Sequence, residues 1–406
     1  MGKIDFQKTG FATRLIHEKK EISPARNAIG TPIYLAATFG VDSIQQMDDI
    51  KDGKEQGFLY SRMGNPTTKV LEDKLAALEG GEAAICTASG MGAVGSVLIG
   101  LLQSGDHVVA ADAVYGGTDY ALRCNLPLFG IQVSFVDICN PAEVEAAITD
   151  KTKLIYFETP VNPNMRIADI KAIADIGKRR GVKVAVDSTF APPPIQYPLQ
   201  LGADIVIHST TKYLNGHGDV IAGAVISSLE NITRFKYHAS AMICGSPTNP
   251  FTSYMILRGL KTLHLRLERH CQNAMALAKF LETSEYVDRV FYPGLESHPQ
   301  HETAKKQMRD GMYGGMLSFS LKEGIRGQTA RQAVDTFLKN LTIPTLAPSL
   351  ADADTLILHP ATMSHRDVPA EAKRKAGITD GMLRVSVGLE YIEDIIADFR
   401  QALEKI

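Results

Sequence analysis

The stretch that decides the fold is residues 209–220, Ser-Thr-Thr-Lys-Tyr-Leu-Asn-Gly-His-Gly-Asp-Val. It lies between two apolar runs, residues 203–207 and 220–226, which contain several β-branched side chains and are bounded by glycine and polar residues. Both runs are typical of short buried strands. Lys212 therefore lies on a hydroxyl-rich turn between two core strands, where a lysine needs a charged partner or a covalent use.

A further strand-like run, residues 182–187, ends in an acid. That acid, Asp187, lies 25 residues before Lys212, and in parallel α/β sheets ligands bind at the carboxyl ends of the strands. A lysine that forms a Schiff base and an aspartate that pairs with a pyridinium nitrogen are the two protein groups that pyridoxal 5'-phosphate (PLP) requires. Taken singly, a lysine on a surface turn and an aspartate that caps a helix explain the two residues as well. Their surroundings favour the PLP site.

Length and charge limit the possible functions. The chain has 406 residues, of which 45% are hydrophobic and 22% are charged, so it is too long for one ordinary core and predicts two or three domains. The formal net charge is −2, which argues against a nucleic acid or an anionic membrane as partner, since either needs a basic face. No apolar run reaches the ~18–20 residues of a membrane span.

Cysteine usage indicates a reducing compartment. The five cysteines are an odd number and have no C-x-x-C spacing, so the sequence predicts neither a disulfide framework nor a metal site. Residues 1–22 mix acidic and basic side chains and lack the apolar centre of a secretory signal. A cytoplasmic location is the simplest expectation.

The chain divides into an arm and two domains. Residues 1–63 contain too little apolar sequence for a core and predict an arm that packs on a neighbouring subunit. Residues 64–263 alternate predicted strands and helices, which is the pattern of a mainly parallel sheet with right-handed crossovers. A long helix over residues 252–281 is predicted to lead into a smaller α+β domain, residues 264–406, whose strands are expected to be antiparallel.

Candidate site residues follow the predicted strands of the large domain. A Ser-Gly-Met-Gly turn at residues 89–92 opens a helix and is suited to seat a phosphate, because backbone N–H groups and the helix dipole meet there. It is neither a Walker loop nor a G-x-G-x-x-G loop. The others that follow strands are Tyr115, Glu158 with Asn162, Asp187, and residues 209–212. Their clustering at one edge of a sheet carries more weight than any single motif.

Arg384 opens a predicted strand of the small domain. An arginine there is able to hold a carboxylate through a two-pronged pair. A salt bridge at a strand end explains the same residue equally well. The choice between them depends on the other motifs.

With these motifs in place, the chain resembles the Cys/Met metabolism family of PLP enzymes, over nearly its whole length. The matching segments are residues 60–67, 89–91, 115–118, 158–163, 187–191, 209–217, 359–365 and 384–390. The resemblance implies an aspartate-aminotransferase-like α/β fold (PLP fold type I), with a mainly parallel large-domain sheet and a smaller α+β C-terminal domain.

The resemblance also implies cofactor roles. Lys212 resembles the lysine that binds PLP covalently and moves protons between substrate carbons, and Asp187 resembles the partner of the pyridinium nitrogen. Tyr115 resembles the tyrosine that stacks on the ring and acts as acid or base near the leaving group, and Glu158 resembles a supporting acid. The phosphate-binding residues implied are Ser89, Gly90, Met91, Ser209 and Thr211.

Two further groups complete the implied site. Tyr60 and Arg62 resemble residues that reach the phosphate of a neighbouring subunit, so a dimer is the expected smallest active unit and a homotetramer, a dimer of dimers, the expected assembly. The implied clamp for the substrate carboxylate consists of Asn162, Ser349 and Arg384.

The choice of reaction depends on finer features. Residues 162–165 and 217–223 most resemble family members that eliminate the γ-substituent of L-methionine. Those members carry a cysteine where this chain has Gly117, and a Lys-Asp pair where it has Ala241 and Met242. These departures make the predicted pocket larger and less polar on the substrate side, without changing the cofactor residues.

The expected function is PLP-dependent γ-elimination from a γ-substituted L-amino acid, with L-methionine as the leading substrate. The alternatives are γ-elimination from cystathionine, γ-replacement on an activated homoserine, such as O-acetylhomoserine sulfhydrylation or cystathionine synthesis, and elimination of another leaving group, such as that of canavanine. A regulator or scaffold built on the same fold is the non-enzyme alternative. The presence of Lys212, Asp187 and Arg384 together argues against it.

Overall fold

The computed structural model describes residues 8–17, 29–366 and 368–406. The helices are α1 (Phe11–His17), α2 (Ile44–Lys51), α3 (Pro66–Glu79), α4 (Gly90–Leu101), α5 (Gly116–Tyr120), α6 (Leu126–Leu128), α7 (Pro141–Ala146), α8 (Ile170–Arg180), α9 (Leu229–Phe235), α10 (Pro250–Leu260), α11 (Leu263–Glu282), α12 (His301–Gln307), α13 (Ala330–Asn340), α14 (Ala370–Lys375) and α15 (Ile392–Leu403). The strands are β1 (Ala83–Thr87), β2 (His107–Ala111), β3 (Gln132–Val136), β4 (Thr152–Glu158), β5 (Lys183–Asp187), β6 (Ile205–His208), β7 (Gly223–Ser227), β8 (Val287–Phe291), β9 (Met316–Leu321), β10 (Thr345–Leu346), β11 (Leu356–Leu358) and β12 (Met382–Ser386).

The first compact unit takes in the described residues of 8–102, with residues 205–215 and 219–263. In it β7 pairs antiparallel with β1 on one side and with β6 on the other. Since both neighbours run against β7, β1 and β6 run in the same direction and end at the same edge. The segments that follow them, which begin at Ala88 and Ser209, therefore leave from one edge of this sheet.

Local sequence explains where the first helices begin. Asn65 caps α3 by accepting a hydrogen bond from the Thr67 N–H, and Pro66 occupies the first turn, where its missing N–H costs nothing. The helix ends at Gly80, whose φ of 76° is the left-handed conformation that glycine adopts without strain. Ser89 caps α4 in the same way and accepts a hydrogen bond from the Gly92 N–H.

The second compact unit takes in residues 103–204, 216–218 and 264–406. Its parallel strands lie in the order β5-β4-β2-β3, so their carboxyl ends also share an edge. β4 is typical of a strand buried on both faces, because its central residues 154–157 are all fully buried and apolar. A separate sheet follows in the order β10-β11-β12-β9-β8, with antiparallel pairing everywhere except between β10 and β11.

The predicted fold class is confirmed: the chain is α/β, with mostly parallel strands and a separate smaller C-terminal sheet. The predicted helix over residues 252–281 is wrong in one respect, because α10 and α11 are two helices with a break at Lys261 and Thr262. There the backbone N–H and the hydroxyl of Thr262 both donate to the Gly259 carbonyl, which tightens the end of α10. Helix α1 was not predicted, and the domain boundaries at residues 63 and 263 stay predictions.

In the described parts of the chain, no helix combines the length and the apolar character that crossing a membrane requires. The predictions for residues 1–7 and 18–28 of the arm lie outside the described residues.

Candidate active site

The start of α4 forms a close-packed corner in the first unit. A methyl group built on Gly90 would lie 2.9 Å from Cβ and 3.0 Å from Oγ of Ser209, so only glycine leaves room for the serine. The first N–H groups of a helix have no carbonyl partner within it. Gly90 and Ser209, predicted together as phosphate-binding residues, therefore lie side by side where a helix N-terminus favours an anion, and Met91 is the second residue of that helix.

The turn that carries Lys212 is held by backbone and hydroxyl contacts. The Lys212 N–H donates to the Ser209 carbonyl over 3.1 Å. The Thr211 hydroxyl donates to the Ala222 carbonyl over 3.1 Å and accepts from the Ala222 N–H over 2.9 Å. Thr211 thus ties the turn to the segment before β7, and its predicted contact with a phosphate stays a prediction. Lys212 itself is half-buried.

Tyr60 and Arg62 form a cluster with Ala241 and Met242, the two residues that stand where the resembling family members have a Lys-Asp pair. The Arg62 guanidinium lies 5.7 Å from the centre of the Tyr60 ring, within the range of a cation–π contact. Its Nη1 donates to the Ala241 carbonyl over 2.9 Å and contacts the Met242 sulfur at 3.6 Å. Tyr60 and Met242 are 47% and 54% exposed, so this cluster opens to the surface of the chain.

Tyr115 follows strand β2, one of the parallel strands of the second unit. Its backbone N–H donates to Oε1 of Glu158 over 2.6 Å, and its ring is half-exposed. The next residue must be glycine, because a methyl group on Gly116 would lie 2.5 Å from the carbonyl oxygen of Ser364. Gly117 follows in the first turn of α5.

Glu158 and Asp187 are paired opposite each other at the ends of β4 and β5. Burial raises the pKa of Glu158 well above its ordinary value, and the neighbouring Asp187 charge raises it further. The backbone of Tyr115 and of Asn162 and the charge of Arg384 oppose the rise. Of the two carboxyl groups, Glu158 is therefore the one whose protonated form the site favours.

Thr189 fixes the orientation of the Asp187 carboxylate. Its backbone N–H and its hydroxyl both donate to Oδ1 of Asp187, over 3.0 Å and 2.5 Å. Two donors on one oxygen stabilise the ionised form. The carboxylate is thereby prepared for a cationic partner, such as a protonated ring nitrogen.

The raised pKa of Glu158 predicts a pH-dependent stability of the PLP-free protein. Because the folded state keeps a proton that the unfolded state has lost, stability falls as pH rises from the ordinary glutamate value, about 4.3, towards the raised value, with a slope of up to about 1.4 kcal/mol per pH unit. Glu158→Gln removes this titration and keeps an oxygen that accepts from Tyr115. We expect the variant to lose less stability than the wild type as pH rises, in urea unfolding at a series of pH values.

The control for this measurement is Glu302→Gln, which changes an exposed glutamate of α12 in the same way. It is expected to follow the wild-type curve. Parallel curves for the Glu158→Gln variant and the wild type would mean that Glu158 is ionised in the folded protein.

Arg384 lies on β12 and is almost fully buried. Its Nη1 donates to Oδ1 of Asn162 and its Nη2 donates to the Ser349 carbonyl, both over 2.9 Å. The three residues predicted to clamp the substrate carboxylate are thus in direct contact. The contacts hold the guanidinium plane in one orientation, as two-pronged recognition of a carboxylate requires.

Two residues of this site were missed by sequence reasoning. Thr189 lies inside a quoted motif, and its position two residues after Asp187 is the spacing at which a side chain turns back to an aspartate. His365 also lies inside a matching segment, but nothing in the sequence indicates that its ring is 2% exposed and close to Arg384.

Comparison with known proteins identifies the family. The model of the Cys/Met metabolism PLP-dependent enzymes matches residues 12–404. An L-methionine γ-lyase of Fusobacterium nucleatum subsp. polymorphum is 48% identical, over 99% of this chain and 100% of the relative. A cystathionine β-lyase of Coxiella burnetii is 45% identical, over 98% of each protein. The crystal structure of cystathionine γ-lyase from Lactobacillus plantarum, complexed with L-serine, superposes with a TM-score of 0.90 at 38% identity and covers 98% of this chain and 99% of that one.

Proposed function

This chain belongs to the Cys/Met metabolism family of PLP-dependent enzymes, and we propose that its reaction is the γ-elimination of L-methionine. PLP is its cofactor, and it is a carbon–sulfur lyase. The proposed reaction consumes L-methionine and water and yields methanethiol, 2-oxobutanoate and ammonia. The observation that carries the choice of substrate is the 48% identity, over essentially the full length of both chains, with an L-methionine γ-lyase.

The residues of the structure fit PLP. Asp187 accepts two hydrogen bonds from Thr189 on one oxygen, which favours its ionised form, and a cationic ring nitrogen would pair with that carboxylate. The corner formed by Gly90 and Ser209 has the glycine and the helix N-terminus that a phosphate requires. Bound PLP supplies an electron sink that stabilises negative charge at the substrate Cα.

We assign the proton transfers to two residues. Lys212 would hold the cofactor, and its Nζ would remove the Cα proton of the substrate and move a proton from Cβ. The hydroxyl of Tyr115 gives a proton to the departing thiolate. The two protons removed from Cα and Cβ are returned to carbon, at Cγ and Cβ. The water consumed supplies the carbonyl oxygen of 2-oxobutanoate, one hydrogen of ammonia and, by way of Tyr115, the hydrogen of the thiol.

The substrate is held by its carboxylate. Arg384, kept in place by Asn162 and the Ser349 carbonyl, forms the two-pronged pair with it. We place the apolar γ-substituent beside Gly117, which lies in the first turn of α5 and carries no side chain.

The test is to add L-methionine alone to the PLP-loaded protein and to measure 2-oxobutanoate and methanethiol. Formation of both in equal amounts supports the proposal. Pyruvate from cystathionine with no reaction of L-methionine would replace γ-elimination by the β-elimination named for the C. burnetii relative. 2-Oxobutanoate from cystathionine, O-acetylhomoserine or canavanine alone would change the leaving group and keep the γ-chemistry.

We also propose that the enzyme is a homotetramer, in which the cluster of Tyr60, Arg62, Ala241 and Met242 completes the site of a neighbouring subunit. The cluster lies at the surface and includes two half-exposed side chains, Tyr60 and Met242. A cytoplasmic location is proposed on the cysteines, since all five are free thiols.

The shared site predicts complementation between inactive subunits. Arg62→Ala and Lys212→Ala proteins are each expected to be inactive, and mixing them should restore part of the activity, because some sites then combine an intact Arg62 with an intact Lys212. Activity is measured after subunit exchange has been verified by native mass spectrometry. Full exchange without any recovery would mean that each chain uses its own Arg62.

A further inference from the structure

His365 is a buried imidazole held by a tight turn after β11. Its backbone N–H donates to the Pro360 carbonyl over 3.0 Å, and its Nδ1 lies 2.9 Å from Oγ of Ser364. The side chain is 2% exposed, and the backbone of Val114 and of Asn162 lies within hydrogen-bonding reach of the ring. A buried polar ring is costly unless it is hydrogen-bonded, so the ring depends on these contacts.

The turn contacts three segments of the site. The Ser364 carbonyl lies so close to Gly116 that no side chain fits between them, which fixes the turn against the loop of Tyr115. The backbone of Val114 and of Asn162 and the charge of Arg384 all act on the His365 ring. The imidazole therefore lies among the Tyr115 loop, the segment of Asn162 and strand β12.

The ring is neutral at the working pH of most enzymes. Burial, and after it the charge of Arg384, lowers the pKa of His365 to about 4. Lys373 acts in the same direction, while the backbone of Val114 and of Asn162 acts against it. A neutral imidazole has one donor and one acceptor. With Ser364 at one ring nitrogen, the other nitrogen faces backbone groups. Because the ring is neutral, it adds no second cation beside Arg384.

We propose that His365 is a positioning residue, whose neutral imidazole keeps the segments of Tyr115 and Asn162 aligned with Arg384 so that the clamp closes on the substrate carboxylate. The proposal rests on the proposed function only in requiring that Arg384 binds a carboxylate. It holds for any γ-substituent. His365 has no contact with the reacting carbons in this scheme and acts through Asn162 and Arg384.

The test measures the binding of glycine to the PLP-loaded protein, by the change in cofactor absorbance. Glycine has the carboxylate but no γ-substituent, so the result is independent of the leaving group and separates this proposal from the choice of L-methionine. His365→Leu fills the space without a polar atom and is expected to raise the glycine Kd about tenfold, the usual size of a lost buried hydrogen bond. His365→Gln, which restores an amide near the ring nitrogen, should recover most of the affinity.

If a substitution only weakened the fold, the melting temperature would change and the glycine Kd would not. His107→Leu is the matched control, because His107 is also buried but lies at the start of β2, at the opposite end of the strand from Tyr115, where its two nitrogens bond Thr152 and Ser134. It is expected to lower the melting temperature and to leave the glycine Kd unchanged. Ser364→Ala, a small change that retains folding, is expected to raise the Kd about threefold by releasing the ring.

A double-mutant cycle completes the experiment. Because His365 acts through Asn162, the effect of His365→Leu should largely disappear in an Asn162→Ala background, whereas independent effects add. Additive effects, or an unchanged glycine Kd in both His365→Leu and Ser364→Ala, would overturn the proposal. A raised Kd with no turnover of L-methionine would retain it and reject only the proposed substrate.

Discussion

Lys212→Ala is expected to reduce the turnover of L-methionine by about 10²- to 10⁴-fold, because the change removes the group that transfers protons at Cα and Cβ. The loss should appear in kcat, since the carboxylate clamp is untouched. The same variant is expected to lose the yellow absorbance of the covalently bound cofactor. Lys212 is the lysine that shares a turn with Ser209 and Thr211, two of the predicted phosphate-binding residues. The measurements are the visible spectrum after dialysis and the rate of 2-oxobutanoate formation.

The matched control is Lys306→Ala, which removes an exposed lysine from α12. It should retain both the colour and the rate. A coloured and active Lys212→Ala protein would mean that another residue binds PLP, and the assignment of the whole site would fail. A wild-type protein that stays colourless and cannot be loaded with PLP would also contradict this assignment.

The segments that bear the site were predictable because each has a strong local signal. Buried parallel strands are continuous apolar runs, and polar or glycine-rich residues directly after them mark the carboxyl edge. Asp187 and Glu158 were placed at that edge from the sequence, and the structure pairs them on neighbouring strands. Ser89 likewise follows β1 and caps α4.

What could not be predicted depends on contacts between distant segments. The direction of β7 is set by a turn in which Gly216 and Gly218 adopt positive φ angles of 71° and 64°, and the sequence shows the glycines but not which way the chain leaves them. The raised pKa of Glu158 depends on burial as well as on Asp187. Such effects arise only after the strands have assembled.

His365 illustrates the limit most clearly. Its segment matched the family pattern, yet a histidine on a turn is usually a surface residue. The residues around it show no periodic spacing of apolar side chains that would indicate burial. Its surroundings come from residues near positions 114, 162 and 384, which are brought together by two different sheets of the second unit. The order of the strands, rather than any motif, gives this residue its neighbours.

Arg384→Ala is expected to reduce kcat/KM for L-methionine by roughly 30- to 4,000-fold, the range that follows from losing 2–5 kcal/mol when one partner of a buried charge pair is removed. The loss should be mainly in KM, because Arg384 holds the carboxylate and takes no part in proton transfer. The absorbance of bound PLP should be retained. Steady-state kinetics together with the visible spectrum separate this outcome from a loss of cofactor.

Arg384→Lys sharpens the same prediction, because lysine keeps the positive charge but cannot make the two parallel hydrogen bonds. The guanidinium now bonds both Asn162 and the Ser349 carbonyl, and an ammonium group would satisfy at most part of this arrangement. We therefore expect Arg384→Lys to be closer to Arg384→Ala than to the wild type, while Arg374→Lys, the same change at an exposed position of α14, should have no effect. If Arg384→Lys kept the wild-type KM, the clamp would act by charge alone, and the fixed plane of the guanidinium would have no role in substrate binding.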